Sequence, residues 1–388
     1  MRVGFFVGEI KKGTVGGGAT FQTNILYQLI RTKSDHKFYI FYKSNDNLFD
    51  DSENIKFINL SKLKKGLFSK KDDKEISLND QILELKIELV WFLTPHYEFV
   101  EAPFVLTIWD LQHRLQGYFP EVSLSGWDFN KREKFYSEYI PKASYIVIGN
   151  NQGAGEVEKF YNFPRERIKT IPLPTPQFVF EDSADDKILS KNNLVKGNYL
   201  LYPAQFWPHK NHIRIIKALD ILKKQGIKWK VVFTGSDKGN RDYIEAKVKE
   251  YNLKDEVKFL GFVSKAELIS LYKNAFATTF LSAFGPDNIP PLESMALDCP
   301  VICADAKGMK EQLGDAAIFF NPFNENELVE KIKELSGNDN IRAAMIENGK
   351  IVAQSVTTDK YIEKMISLID EFSPIRECWS DQDKYIHL

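Results

Sequence analysis

Three short segments carry the residue types that hold a phosphorylated ligand. In the first, Gly16-Gly17-Gly18 follows an apolar run at Val3–Val7 and opens a helical stretch through Ile25, Leu26, Leu29 and Ile30. Glycines let backbone N–H groups approach a phosphate closely, and a helix N-terminus adds a favourable field. Alone, the pattern serves equally well as a surface loop. The second segment is Tyr202-Pro203-Ala204-Gln205-Phe206-Trp207-Pro208-His209-Lys210-Asn211, set between the apolar run at Tyr199–Tyr202 and a helix from about His212. Lys210 can place a full positive charge against a diphosphate, although a solvated loop lysine would read the same way. His209 and His212 lack a third ligand, so packing or hydrogen bonding describes them better than a metal site. The third segment is Phe284-Gly285-Pro286-Asp287-Asn288-Ile289-Pro290-Pro291-Leu292-Glu293-Ser294-Met295-Ala296. Gly285 and Pro286 turn the chain, and Pro291 is placed to start a helix. Glu293, expected in that helix's first turn, can accept hydrogen bonds from two vicinal hydroxyls, which suits a ribose; the plainer reading is that it complements its own helix N-terminus.

Such segments work at the carboxyl ends of parallel strands, and the chain supplies the strands. Apolar runs are expected as strands at Val3–Val7, Phe38–Tyr42, Ile55–Ile58, Leu89–Leu93, Phe104–Trp109 and Tyr145–Ile148, with helices over Asp128–Tyr139 and Gln152–Phe160 between them. After Pro172, Pro174 and Pro176 the texture turns polar as far as Gly197, as an interdomain linker would. A second series follows at Tyr199–Tyr202, Val231–Phe233, Val257–Phe259, Ala275–Phe280 and Val301-Ile302. Ser264 and Glu267 have capping-box spacing ahead of Leu268 and Leu271. Strand–helix alternation implies crossover units, so the expected fold is α/β: two Rossmann-like domains in tandem. The expected boundaries are 1–175 for the first domain, 176–197 for the linker, 198–356 for the second domain, and 357–388 for a closing helix and tail, with a crossing back to the first domain as one course.

The 388-residue length suits two cores, and 43% hydrophobic with 27% charged residues is a globular balance. A net charge of -1 offers no field for nucleic acid, so an acidic ligand must be held by a local site. Cys299, Cys303 and Cys378 form no paired framework, which suits a reducing cytoplasmic compartment. Met1–Val7 reads as a strand rather than a signal peptide, and no window approaches the roughly 18 apolar residues of a membrane span.

Taken in order, these segments resemble the large retaining glycosyltransferase family 4, whose fold is GT-B; the resemblance implies two Rossmann-like domains facing each other across a cleft, with 198–356 as the nucleotide-sugar domain and 1–175 on the acceptor side. The likeness is strongest from about Tyr199 to Pro322. Pro203–Asn211 resembles the donor-phosphate segment: Lys210 matches, and Gln205 stands where the family carries arginine. Leu292–Ala296 with Cys299–Ile302 resembles the ribose-binding helix and the strand after it. Phe259–Val263 resembles the stretch whose backbone meets the nucleobase, at Phe262 and Val263, and Thr234-Gly235 resembles the glycine turn before it. The family's first glutamate is missing, since eight residues before Glu293 lies Gly285. The resemblance therefore implies that Asp287, Asn288 or the Ile289 backbone takes over its sugar contacts. In the first half, Thr107-Ile108-Trp109-Asp110-Leu111-Gln112-His113-Arg114 is similar to the loop that faces the transferred sugar, and implies Asp110 and His113 as residues gripping the sugar or the acceptor hydroxyl.

The resemblance implies transfer of a hexose or deoxyhexose from a nucleotide-sugar donor, held by Gly17, Gly18, Gln205, Lys210, Gly235 and Glu293, to a glycan or lipid-linked acceptor. No paired aspartates with metal context occur, so no metal and no cofactor are expected. Six lysines between Lys62 and Lys74, with Leu63, Leu67 and Phe68 among them, make peripheral contact with an anionic membrane one option and a solvated loop the other. His96, Tyr97, Trp127 and Tyr136 could line an acceptor groove or fill the core. Two alternatives stay open: a non-catalytic nucleotide-sugar-binding protein, and a sugar-nucleotide epimerase.

Overall fold

The computed structural model describes residues 1–10, 17–46, 49–63, 76–95, 97–123, 129–181 and 183–378. Gly16, His96, Trp127 and the 64–74 part of the lysine-rich stretch lie outside them. The strands form two wholly parallel sheets. The first comprises β1 (Arg2–Glu9), β2 (Lys37–Lys43), β3 (Ile55–Asn59), β4 (Leu89–Phe92), β5 (Phe104–Thr107), β6 (Tyr145–Ile148) and β7 (Ile168–Thr170), in the order β3-β2-β1-β4-β5-β6-β7. The second comprises β8 (Tyr199–Pro203), β9 (Lys230–Thr234), β10 (Val257–Gly261), β11 (Ala277–Phe280), β12 (Val301–Ala304) and β13 (Ala317–Phe320), in the order β10-β9-β8-β11-β12-β13. Strand order reverses beside β1 and beside β8. The crevice outside the carboxyl ends at such a reversal is where α/β sheets bind ligands.

The continuous apolar runs follow from burial on both faces. Along β1, Val3, Phe5 and Val7 enter one core cluster while Phe6 enters another. The expected strands are present, three of them with an end trimmed: β4 stops at Phe92, β11 begins at Ala277, and β5 stops at Thr107, with Trp109 leaving the sheet to pack on Phe21. Two strands gave no signal. β7 has three residues behind the charged Arg165–Arg167, and β13 follows directly on the Gly314–Ala316 turn.

Two expectations need correction, and the closing helix takes the crossing-back course. The helix carrying Glu293 runs Ile289–Ala296, one turn of it already complete at Leu292. Prolines fit a first turn because their missing N–H has no partner there, so Pro290 and Pro291 both lie inside that turn and Glu293 falls in the next. The stretch taken for a linker is largely folded: Phe178, Val179, Ile188 and Leu194 are buried with Tyr199, Leu201 and Tyr272 of the second domain. The closing helix runs Thr358–Glu377, past Pro374, and packs on the first domain. Tyr361, Ile362, Met365, Leu368, Ile369 and Phe372 form one stripe at helical spacing and join Val3, Phe5, Phe21 and Ile25 in a single cluster. At roughly 1.5–3 kcal/mol per buried side chain, this stripe is a major part of the first domain's core. His36 bonds Asp370 (2.8 Å) and Lys169 bonds Glu371 (2.7 Å) on its flanks.

The chain thus passes between the domains twice, and the passages touch. Thr175 and Thr357 form a parallel bridge, Thr175 N donates to Val356 O (2.7 Å), and Thr175 Oγ1 donates to Ala353 O (2.8 Å). No helix among the described residues is long and apolar enough to cross a membrane.

Candidate active site

Lys210 ends a short 3-10 turn, Pro208–Lys210, that follows β8. Asn211 takes a left-handed conformation (φ 57°), donates to Pro322 O (2.6 Å), and redirects the chain into the helix His212–Lys224. Tyr202 reaches from β8 to donate to Lys210 O (2.5 Å). The turn is therefore fixed from both sides, and the ammonium is set 3.5 Å from Ser282 Oγ and 5.3 Å from the centre of the Phe280 ring. Burial lowers the Lys210 ammonium to about 8, opposed by the nearby carboxylates of Asp110 and Glu121, both from the first domain. A half-desolvated lysine short of countercharge is a place for an anion.

Around it, Gly235 (φ 125°) lets the turn after β9 press against the loop after β8, where a Cβ would lie 2.5 Å from Ala204 O. Gln205, which replaces an arginine in the resemblance, is engaged within that loop pair: Nε2 donates to Ser236 Oγ (3.2 Å), and Oε1 accepts from Trp207 Nε1 (3.1 Å). His212 lies flat on Phe206 (centroids 4.3 Å apart, planes 16° apart), and burial lowers it to about 3, so it is a packing residue.

Glu293 is buried, and its Oε2 accepts from Tyr272 Oη (2.8 Å). Burial raises its carboxyl to about 7, with Tyr272 and the charge of Lys265 pulling the other way. Tyr272 lies on the helix Lys265–Asn274, whose Ser264–Glu267 capping box forms as expected. Phe262, before that helix, is 67% exposed, and Val263 packs against the core beneath it. Carboxylate, phenol, backbone turn and exposed ring share the end of the sheet where Lys210 stands.

The first domain supplies the opposite wall. Asp110 Oδ1 takes Arg132 Nη2 (2.8 Å) and the Gln112 N–H (2.9 Å). Burial alone would raise its carboxyl, but Arg132 and that N–H hold it below the usual range. Asp110 and Lys210 are thereby brought together across the cleft. His113 is not: its ring is buried, with Nε2 3.0 Å from Glu133 Oε2 and 3.3 Å from Tyr161 Oη, and burial lowers it to about 4. One turn of helix, Gln112–Leu115, carries its side chain into the wall that Asp110 faces out from. Gly17 and Gly18 begin the helix Gly17–Arg31, and Gly18 is pressed by Trp109, where a Cβ would lie 2.6 Å from the indole. Tyr136 is buried and Tyr97 stacks on Tyr139 (3.6 Å), so these two aromatics belong to the core.

The loop before Glu293 departs from expectation. Asp287 Oδ2 accepts from Leu173 N (2.8 Å), Asn288 Nδ2 donates to Gly285 O (2.8 Å), and Ile289 is buried in the first domain's cluster. All three are engaged in holding the loop, because the first domain lies against it. The loop residue facing Lys210 is Ser282. Sequence reasoning also missed Glu121, wholly buried on the short helix Pro120–Ser123, whose Oε1 accepts from His209 N (2.9 Å) and lies 2.5 Å from His209 Nδ1. A Pro-Glu pair at a helix start reads as an ordinary surface turn, so only the contact across the cleft shows its place.

Residues 184–352 match the family described as glycosyl transferases group 1. That segment of the second domain is similar to the glycosyl transferases of group 1. That domain holds Lys210, Gly235, Ser282 and Glu293. Among curated proteins, the chain is 30% identical over 211 residues to the O-antigen chain mannosyltransferase RfbU of Salmonella typhimurium, covering 52% of this chain and 55% of that one. It is 24% identical over 193 residues to O-antigen chain mannosyltransferase B of Escherichia coli, covering 49% and 51%. The match spans about half the length of these relatives. Solved structures match the whole fold: sucrose-phosphate synthase from Thermosynechococcus elongatus (TM-score 0.73, 15% identity, 96% of this chain and 99% of that one) and Anabaena HepE in complex with UDP-glucose (0.69, 16%, 96% and 100%). The two parallel sheets and the cleft between them share the GT-B architecture of these solved structures.

Proposed function

We propose that the chain is a retaining, metal-independent glycosyltransferase. It moves a hexose or deoxyhexose from a nucleotide-diphosphate sugar to a glycan or lipid-linked acceptor in cell-surface polysaccharide or glycoconjugate synthesis. The observation that carries this reading is Lys210: a partly buried ammonium lowered to about 8, at the carboxyl end of β8, with Asp110 of the other domain opposite. The donor diphosphate supplies the charge Lys210 lacks, and Glu293 with Tyr272 takes the ribose hydroxyls. In a front-face transfer the bond from the sugar's anomeric carbon to the phosphate oxygen breaks. The bond to the acceptor oxygen forms on the same face, and the acceptor proton passes to the leaving phosphate. Lys210 stabilises the charge that develops there, and Asp110 orients a sugar or acceptor hydroxyl. A cavity of about 330 Å³ at the carboxyl ends of β1 and β2, lined by Glu9, Lys43, Asn45 and Asp46, has the polarity of a glycan acceptor site. The named relatives act in O-antigen chains, which fits a reaction on the cytoplasmic side of a membrane bearing the acceptor.

The test is nucleotide release from UDP-, GDP- and dTDP-sugars, with excess chelator and lipid-linked or glycan acceptors. The parent should release nucleotide, and Lys210→Ala and Glu293→Ala should not. Donor binding without turnover would favour a nucleotide-sugar-binding protein, and release abolished by chelator would overturn the metal-free mechanism.

A further inference from the structure

The loop 283–289 lies within the second domain yet is gripped along its length by the other domain. Gln116 Nε2 donates to Ala283 O (3.0 Å), Asn150 Nδ2 donates to Pro286 O, and Leu173 N donates to Asp287 Oδ2 (2.8 Å). Ile289 closes the series by entering the first domain's apolar cluster. From its own domain the loop receives Gln312, which bonds Asn288 at both N (3.0 Å) and O (2.8 Å). Asp287 is the one charged side chain in the series, and it reaches furthest. Leu173 lies in the segment that passes between the domains, two residues before the Thr175–Thr357 bridge. The approach is close enough that a Cβ on Gly149 would run into the Asp287 carboxylate.

We propose that Asp287 is a positioning residue that ties the donor loop to the interdomain crossing, so that Ser282 and Glu293 reach their donor-ready places only while the two domains are docked. This rests on the donor-site reading of Lys210 and Glu293. The loop connects both of those residues: Ser282, beside Lys210, precedes it, and the helix bearing Glu293 begins at its far end.

The surroundings of Asp287 make the tie sensitive to pH. Its Oδ1 is buried without a partner among the described residues. The titratable groups near it are the Glu311 carboxylate and the Tyr361 phenol, and the elements bearing Leu173, Gly149 and Asn150 present it with backbone and amide groups. Burial pushes the carboxyl up to about 7, and Glu311 adds to it. In a released loop the group would titrate near the ordinary value of about 3.9. Docking is then strongest at low pH, weakens as pH rises from about 4 to 7, and levels off above that. Between pH 6 and pH 8 the docked-to-released ratio should fall about tenfold.

The experiment is hydrogen exchange by mass spectrometry on the full chain at pH 6 and pH 8, normalised for intrinsic exchange, for the parent, Asp287→Asn and Asp287→Ala. Asparagine keeps an oxygen for the Leu173 N–H and carries no charge. In the parent, segments 171–175 and 284–290 should lose protection together between the two pH values, by about tenfold. Asp287→Asn should stay protected at both, and Asp287→Ala should be open at both. Donor KM should follow the same pattern with kcat little changed. If 284–290 exchanges alike in parent and Asp287→Ala, or if only 171–175 loosens, the proposal is wrong. Should Asp287→Ala fail to fold, the contrast between parent and Asp287→Asn decides alone. If the parent turns over no donor, the transferase reading fails, while exchange still decides the coupling.

Discussion

Replacing Lys210 by methionine should stabilise the empty protein while abolishing turnover. The ammonium is held at about 8 against an ordinary 10.5, so the folded state disfavours the charged form. At 1.36 kcal/mol per unit, the 2.5-unit difference corresponds to an upper bound of about 3 kcal/mol at pH 7. The sign follows from proton binding. Between pH 8 and 10.5 the unfolded lysine holds a proton that the folded one has lost, so the parent gains stability as pH rises through that window. The advantage of Lys210→Met should therefore be largest below pH 8 and vanish near 10.5. Methionine matches the lysine stem in length and can rest on the Phe280 ring, so little packing is lost. Urea unfolding of both proteins at pH 7, 9 and 10.5 measures the difference, and nucleotide release measures the loss of function. A variant no more stable than its parent at pH 7, or a difference that does not shrink with pH, would refute the claim that Lys210 is an unsatisfied cation awaiting a ligand.

Tyr272→Phe removes the hydrogen bond to Glu293, and at about 1.5–3 kcal/mol for a bond to a charged group, donor KM should rise at least tenfold in steady-state assays. Glu121→Gln deletes one of the two carboxylates that support the Lys210 charge, so the alkaline limb of donor kcat/KM, expected near pH 8, should move to lower pH. An unmoved limb would mean that Glu121 does not act on Lys210. Gly18→Ala should lower the melting temperature by several degrees because its Cβ meets the Trp109 indole at 2.6 Å, whereas Gly17→Ala, 3.9 Å from Ile289, should not. Met365→Ala should cost about 2–5 kcal/mol, detected as lost stability of the first domain.

The sheet-forming strands were legible because each is buried on both faces and so is written as a bare apolar run, as at Val3–Val7 and Tyr199–Tyr202. Lys210 and Glu293 were legible because each sits in a local pattern, a strand followed by a turn and a helix. What escaped was set by contacts between distant parts of the chain. Nothing local distinguishes Glu121 from a solvated glutamate, or Asp287 from a loop residue free to face a sugar. His113 shows the reverse failure: its neighbour Asp110 faces the cleft, but helical geometry turns the histidine toward Glu133 and Tyr161. Counting eight residues back from Glu293 reaches Gly285, yet the loop folds so that Ser282 stands by the lysine.

The return of the helix Thr358–Glu377 to the first domain has a consequence for biosynthesis. Residues from Val3 to Ile289 and from Tyr361 to Phe372 share one cluster, so that core stays open until residues 361–372 have left the ribosome. The second domain, complete in sequence earlier, is topologically an insert and can close first, reversing the usual N-to-C order of domain maturation. Until the final helix arrives, the apolar faces of Phe5, Phe21 and Ile25 are uncovered. A chain truncated after residue 356 and released from the ribosome should therefore resist protease in its second half and be degraded in its first.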